Sequence, residues 1–497
     1  MRPPLSSACL VLILLLLSMP VVARGSTIRV PGDYGSIQAA LDHASMGDVI
    51  LVSRGSYKGF TVSKSVTVIG ESNETVVVYG GVVVSANGVK LGNLKIVLDE
   101  STGGSVAVLV KGLDAVLTNI VVESYKYGVQ VGSADSKASA LIEYSSIRSG
   151  REAVYGYCTS LSLFYNTVVS ESAAAVAYCG RMDVEFNRVA SEGVGVAVGG
   201  ALSEGNIARG NEVNITGSAA GILVDGKSHL IEGNRVLNGG IDVRGSQSVI
   251  ERNQVTTPGN GVNLVGDGNV VEANTVSAGG HAIELYGSGN LILNNTLSGG
   301  RGVHGSNGRG NSIAFNLINR TGNVGVYMSK YTSQNTIYGN TFWLCYNYEA
   351  ADESGGNTWY NETIRMGNYW SNNKAPDLDG DGITDQPYPI PTTTGIEILD
   401  KYPLARPLVA PEQTTTTATT TKPTQTTPTT PPSTSTTTPT TTQQTATNTA
   451  TTKPTPATDT TSSQAGGGGY TSILLVSALV VLLTATAALF AVKKTRG

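Results

Sequence analysis

Residues 261–300 read GVNLVGDGNVVEANTVSAGGHAIELYGSGNLILNNTLSGG, and this stretch decides the fold. Within it GVNLVG and AIELYG alternate apolar and polar residues over the length of a short strand, and glycines close each run. Alternation means a strand with one buried face, and the glycines mean turns. Asn274 in EANTV and Asn295 in LNNTL stand in matching contexts 21 residues apart. The context recurs at Asn166, Asn187, Asn211, Asn234, Asn253, Asn316 and Asn340, at intervals of 19 to 24 residues. GILVDG and GIDVRG repeat the strand motif in earlier units.

A unit of this length with two or three short strands is one coil of a solenoid. One coil cannot bury its apolar face alone, whereas stacked coils share a continuous core. The unit has no helix segment and no fixed leucine pattern, so it is not a leucine-rich repeat. The expected fold is all-β, a right-handed parallel β-helix of about 12–13 coils, with neighbouring coils about 4.8 Å apart. Asparagines stacked at one turn are expected to hydrogen-bond along the axis and to take the left-handed turn conformation themselves. Ahead of the first coil, Asp33–Met46 puts Ile37, Ala40, Leu41 and Ala44 on one helical face, with His43 on the solvated side. A short capping helix there would cover strand edges that otherwise recruit other chains.

Composition divides the rest of the chain. Residues 1–25 read as a signal peptide: Arg2, an apolar run from Ala8 to Leu17, then Val21 and Ala23 at a cleavage position, with an uncleaved anchor as the alternative. The β-helix with its cap is assigned to 26–340, and its C-terminal end with an Asp-rich motif to 341–410. Residues 411–469 are mostly Thr, Pro, Ala, Ser and Gln; such a segment cannot bury enough surface to order itself. It is expected to be a disordered, glycosylated stalk reaching about 170 Å if fully extended. Residues 470–492 carry no charge and suffice for a transmembrane helix, and 493–497 form a basic cytoplasmic tail. The expected location is the cell membrane, single-pass, with the ectodomain outside. Sequons at Asn73, Asn214, Asn294, Asn319 and Asn361 fit an exported glycoprotein. Only 14% of residues are charged and the net charge is −4, which argues against nucleic acid as a partner.

Aligning the strand motifs gives two outward columns. One runs Leu223, Asp242, Asn263, Glu284, His304, Tyr327; the other runs Asp225, Arg244, Val265, Tyr286, Ser306. Asp242, Glu284 and His304 are the candidate catalytic residues, and Asn263, Tyr286 and Tyr327 the candidate glycan-binding ones. Carboxylates suit sugar hydroxyls and aromatic faces suit the ring. The plainer alternative is a solvated sheet face with an Asp225–Arg244 pair. The four histidines, His43, His229, His281 and His304, are expected at different places in their coils, so copper is not expected. Cys158 and Cys179, 21 residues apart, share a register position and can form a disulfide; two buried thiols are the alternative. In DLDGDGITD, Asp377, Asp379, Asp381 and Asp385 with Gly382 match the start of a calcium loop, although position 12 is Tyr388 rather than Glu. Calcium is the candidate cofactor, a structural Asp/Gly turn the alternative.

At these residues the chain resembles the NosD-like family of parallel β-helix proteins. GNYWSNNKAPDLDGDGITDQPYPI and LDKYPL are similar to that family's C-terminal segment, and IRVPGDYGSIQAALDHASMGDVILVSRGSYKG to an opening shared by many β-helices. The resemblance implies copper handling or carbohydrate binding and sugar hydrolysis. The anchor and stalk resemble archaeal surface proteins. No catalytic motif of polygalacturonases, pectate lyases or pectinesterases is present. The leading expectation is therefore a surface protein that binds glycan without catalysis. A polysaccharide-processing enzyme, hydrolase or lyase, comes next, and a copper-handling accessory factor third.

Overall fold

The computed structural model describes residues 25–133, 136–200 and 202–409. They lie in a compact unit, Met1–Thr415; the second unit, Thr416–Gly497, falls outside the described residues. So do the expected signal peptide (apart from Gly25), stalk, transmembrane helix and tail. Among the described residues no helix is long and apolar enough to cross a membrane.

The chain winds as a parallel β-solenoid. A coil contributes three strands, as in Val262–Leu264, Val270–Glu272 and Thr275–Ala278, each pairing in parallel with its counterpart one coil away. Third strands form a sheet of 15, from Gly55–Lys58 to Tyr369–Trp370, so the stack has about 15 turns and runs past residue 340. The expected 12–13 coils undercount it because asparagine was the marker. The equivalent position in the third to fifth coils is filled by Leu94, Ile120 and Ser145, which align with Asn166 through the strands that follow them. First and second strands merge into one sheet of 27, because Val154–Phe164 and Val176–Glu185 run unbroken through both columns.

Inward aliphatic residues such as Ile250, Val255, Val262, Ile292 and Ile313 form one continuous buried core. Its polar seam is the asparagine ladder. Each rung's carbonyl oxygen accepts the backbone N–H and the amide N–H of the preceding rung: Asn253 Nδ2 donates to Asn274 Oδ1 at 3.0 Å, and Asn274 Nδ2 to Asn295 Oδ1 at 3.0 Å. The asparagines themselves are buried. The left-handed residue is the one before each rung, for example Tyr165, Phe186, Arg252, Ala273 and Phe315. This corrects the expected geometry: the amide must point inward to its partners, so the preceding residue makes the turn.

A second ladder, not anticipated, runs between first and second strands through Asn206, His229, Ser248, Asn269, Asn290, Asn311, Asn335 and Asn357. Both ladders end on buried aspartates that also accept an indole N–H. Asp352 takes Asn357 Nδ2 and Trp359 Nε1, both at 3.1 Å; Asp400 takes Asn368 N at 2.7 Å and Trp370 Nε1 at 2.9 Å. At the other end, helix Ile37–His43, capped by Ser36, buries Ile37, Ala40 and Leu41 against the first coil. His43 is exposed and stacks on Tyr34.

Candidate functional site

First strands open with two consecutive inward residues, one small and one aliphatic: Gly240–Ile241, Gly261–Val262, Ala282–Ile283, Gly302–Val303, Gly325–Val326. At Gly240, Gly261, Gly302 and Gly325 an added Cβ would come within 3 Å of a carbonyl oxygen of the next coil, so the position admits nothing larger than the alanine found at 282. The doublet breaks strict alternation, so positions facing away from the core lie three apart: Asn260 with Asn263, His281 with Glu284, Arg301 with His304. Two parallel rows result, forming a strip along one flank.

Register pairs Leu223 with Asp242, Asp242 with Asn263, Asn263 with Glu284, Glu284 with His304, and His304 with Tyr327. The neighbouring row pairs His281 with Arg301. Toward the N-terminus the strip is apolar, with Ala177, Ala197 and Leu223 packed beside Tyr155, Ala174 and Val194. From Asp242 onward it is polar. Asn263 Nδ2 donates to Asp242 Oδ1 at 2.5 Å, and Asn260 Nδ2 to Asn263 Oδ1 at 3.1 Å.

Glu284 is the centre of the polar part and only 4% exposed. Its Oε1 accepts the Ser306 hydroxyl. Its Oε2 lies 2.9 Å from His304 Nδ1 and 3.5 Å from His281 Nε2. The imidazole rings meet edge to face at 4.6 Å. Arg301 lays its guanidinium over Tyr327, 4.6 Å from the ring centre. Burial pushes the Glu284 carboxyl up, but the hydrogen bonds from His304 and Ser306 and the charge of both imidazoles outweigh it, leaving its pKa below the usual carboxylate value. Burial pushes the His281 imidazole down by more than Glu284 restores.

The histidines do lie at different places in their coils, as expected, since His281 pairs with Arg301 and His304 with Glu284, yet two of them meet. His281 and His304 sit on adjacent coils against one carboxylate, because the inward doublet carries His281 onto the face of Glu284. Strict alternation hides this. The signal that could have found it is the small residue before each aliphatic, which recurs as GV, AI, GV, GV through residues 261–326. His229, by contrast, is a buried ladder rung whose Nδ1 accepts Asn206 N at 3.0 Å while Nε2 donates to the Asp225 carbonyl at 2.7 Å.

In the second expected column, Val265 and Tyr286 are exposed, Ser306 turns to Glu284, and no Asp225–Arg244 ion pair forms among the described residues. Cys158 and Cys179 form a disulfide with Cα atoms 4.9 Å apart, where the two unbroken strands cross the corner. Cys345 is a free thiol, pushed up to about 11 chiefly by burial. Asp377, Asp379 and Asp381 bring carboxylate oxygens within 4.8 Å of one another. Asp385 stands apart from that group, with Oδ2 accepting Leu378 N at 2.9 Å.

The family described as periplasmic copper-binding protein (NosD) matches residues 185–375, under half of the chain and ending just before Asp377. The chain is similar to that family over this span, which holds the polar strip. No curated protein matches. Among solved structures, a PL6 family polysaccharide lyase from Pseudopedobacter saltans is 16% identical, with 59% of this chain and 84% of that chain covered and a TM-score of 0.40. A mannuronic acid specific polysaccharide family 6 lyase from human gut microbiota is 13% identical, covering 70% and 88%, with a TM-score of 0.43. A PL6 alginate lyase in complex with trisaccharide is 11% identical, covering 77% and 92%, with a TM-score of 0.42.

Proposed function

We propose that this chain is a surface protein whose solenoid flank binds an extended glycan along the strip from Asp242 to Tyr327, without cleaving it. The observation that carries the reading is the unbroken in-register row Asp242–Asn263–Glu284–His304–Tyr327. It spans about 19 Å at the inter-coil spacing, room for a short oligosaccharide lying along the axis. Hydroxyl-binding side chains lead to an aromatic face at Tyr327 with the Arg301 guanidinium over it, and all stand on strands, which lowers the ordering cost of binding. Tyr286, exposed on the next column, supplies a further ring face. Display at the cell surface, through segment 411–469 as stalk and 470–492 as membrane anchor, belongs to the same proposal.

Binding is preferred over hydrolysis on geometry. A hydrolase pairs a protonated carboxyl with an ionised one at about 5–9.5 Å. Glu284 is held ionised and cannot be the acid, and the row's other carboxylate, Asp242, stands two coils away, about 10 Å, wide for such a pair. The test is retention of the full chain, in detergent, on a panel of immobilised polysaccharides, with reducing ends assayed in the same samples. We expect retention on at least one polysaccharide, weakened about tenfold or more by Tyr327→Ala or Asn263→Ala, with no reducing ends released. Release that vanishes in Glu284→Gln would replace binding with catalysis. Copper handling, the third expectation, gains from the His281–Glu284–His304 cluster, which supplies the grouped imidazoles the sequence reading lacked.

Calcium is proposed for the Asp377–Asp381 loop in a stabilising role. Added calcium is expected to raise the melting temperature by a few degrees, and Asp379→Asn to remove the shift. No shift in the unsubstituted chain would leave the loop a plain Asp/Gly turn.

A further inference from the structure

We propose that His281, Glu284 and His304 form a binding site for a divalent transition-metal cation of the zinc class, with its open coordination positions facing the strip. One ligand atom from each residue lies within 4.8 Å of the other two. The 3.5 Å between His281 Nε2 and Glu284 Oε2 is close to the roughly 3.4 Å that separates neighbouring ligand atoms around a tetrahedral zinc with bonds of about 2.0–2.2 Å. His304 Nδ1, at 2.9 Å from the same oxygen, needs only a small movement to admit the ion. Two imidazoles and one carboxylate suit zinc and its neighbours, whereas calcium takes six or more oxygens.

The surroundings are those of a supported site. Ser306 holds Glu284 Oε1, so Oε2 remains turned to both rings. Asn260 Oδ1 fixes the backbone of His281 by accepting its N–H at 2.9 Å. Of the two His281 nitrogens, Nε2 is the one that faces Glu284 Oε2, while Nδ1 is buried without a hydrogen bond. Arg301, paired in register with His281, directs its guanidinium onto Tyr327. An oxygen ligand carrying negative charge on the ion, such as a carboxylate, would have this cation in the adjacent coil. Three protein ligands leave at least one position for such an oxygen.

The inference is about the metal alone and does not depend on the glycan reading. Metal-free full chain in detergent is dialysed against micromolar Zn²⁺ with millimolar Ca²⁺ present, and bound zinc is measured by elemental analysis. We expect one equivalent, reduced at least 100-fold in affinity by His281→Ala and by His304→Ala, and unchanged by Asp379→Asn. Should a variant fold poorly, Co²⁺ added to the unsubstituted chain gives an answer without substitution, through visible absorption of a four- or five-coordinate ion. No stoichiometric zinc and no such cobalt band would overturn the site. So would zinc retained equally by His281→Ala.

Discussion

Glu349 shows what one residue can do at the end of a repeat. It occupies the small-residue position of the inward doublet, where earlier coils have Ala282, Gly302 and Gly325, and a long side chain fits because no further first strand pairs with it. Its Oε1 accepts Ser371 while Oε2 is buried without a partner. Burial pushes its pKa up to about 7, and Asp400 up to about 6. A carboxyl raised in the folded state holds its proton there while the unfolded chain has already released it. Stability is therefore full below the ordinary carboxylate range and is lost as pH rises toward 7. Glu349→Gln should remove much of the fall in melting temperature between pH 5 and 8 and stabilise the chain at pH 8 by roughly 1–3 kcal/mol. An unchanged pH profile would mean that Glu349 is solvated. At this scale the sequence was partly legible. The row from Leu223 to Tyr327 could be aligned by eye, but the partner of Glu284 in its own strand, His281, could not, because strict alternation puts it on the wrong face.

The elements are held by what runs between them rather than by what lies within them. A three-residue strand such as Val249–Glu251 has no stability alone; its core residue and its ladder rungs supply it through neighbouring coils. Asn253 illustrates the load on one rung. Its amide donates to Ile231 O at 2.8 Å and to Asn274 at 3.0 Å, and its oxygen accepts both nitrogens of Asn234. Asn253→Ala removes the acceptor of the Asn234 backbone N–H and a donor to the Ile231 carbonyl, while Asn234 Nδ2 keeps Ala208 O and Asn274 Oδ1 keeps the Asn253 backbone N–H. The cost is about 1–3 kcal/mol for the worst-placed group. We expect a fall in melting temperature of several degrees, matched by loss of amide exchange protection confined to the adjacent coils. A loss below experimental error would mean that water replaces the rung. The first ladder was readable because asparagine recurs in a fixed context. The second was not, because His229 and Ser248 interrupt it and its asparagines follow variable turns.

On the scale of the whole molecule, repetition solves the burial problem and creates an end problem. Each end is closed by a different device: helix Ile37–His43 at the start, and at the finish two aspartates that terminate the two ladders and take the indoles of Trp359 and Trp370. The fold class and the capping helix could be read from the sequence because periodicity reports burial directly. The number of turns could not, since early coils use residues such as Leu94 and Ile120 where later coils use asparagine. A flank of stacked strands offers rows at one constant spacing, and in this chain one such row changes from apolar to polar at Asp242. The direct test of the central claim is a crystal structure of the chain with an oligosaccharide taken from a polysaccharide it retains. The account predicts an intact sugar chain lying along the axis over Asn263, Glu284, His304 and Tyr327. A sugar bound on the third-strand sheet, or a cleaved one beside Glu284, would contradict it.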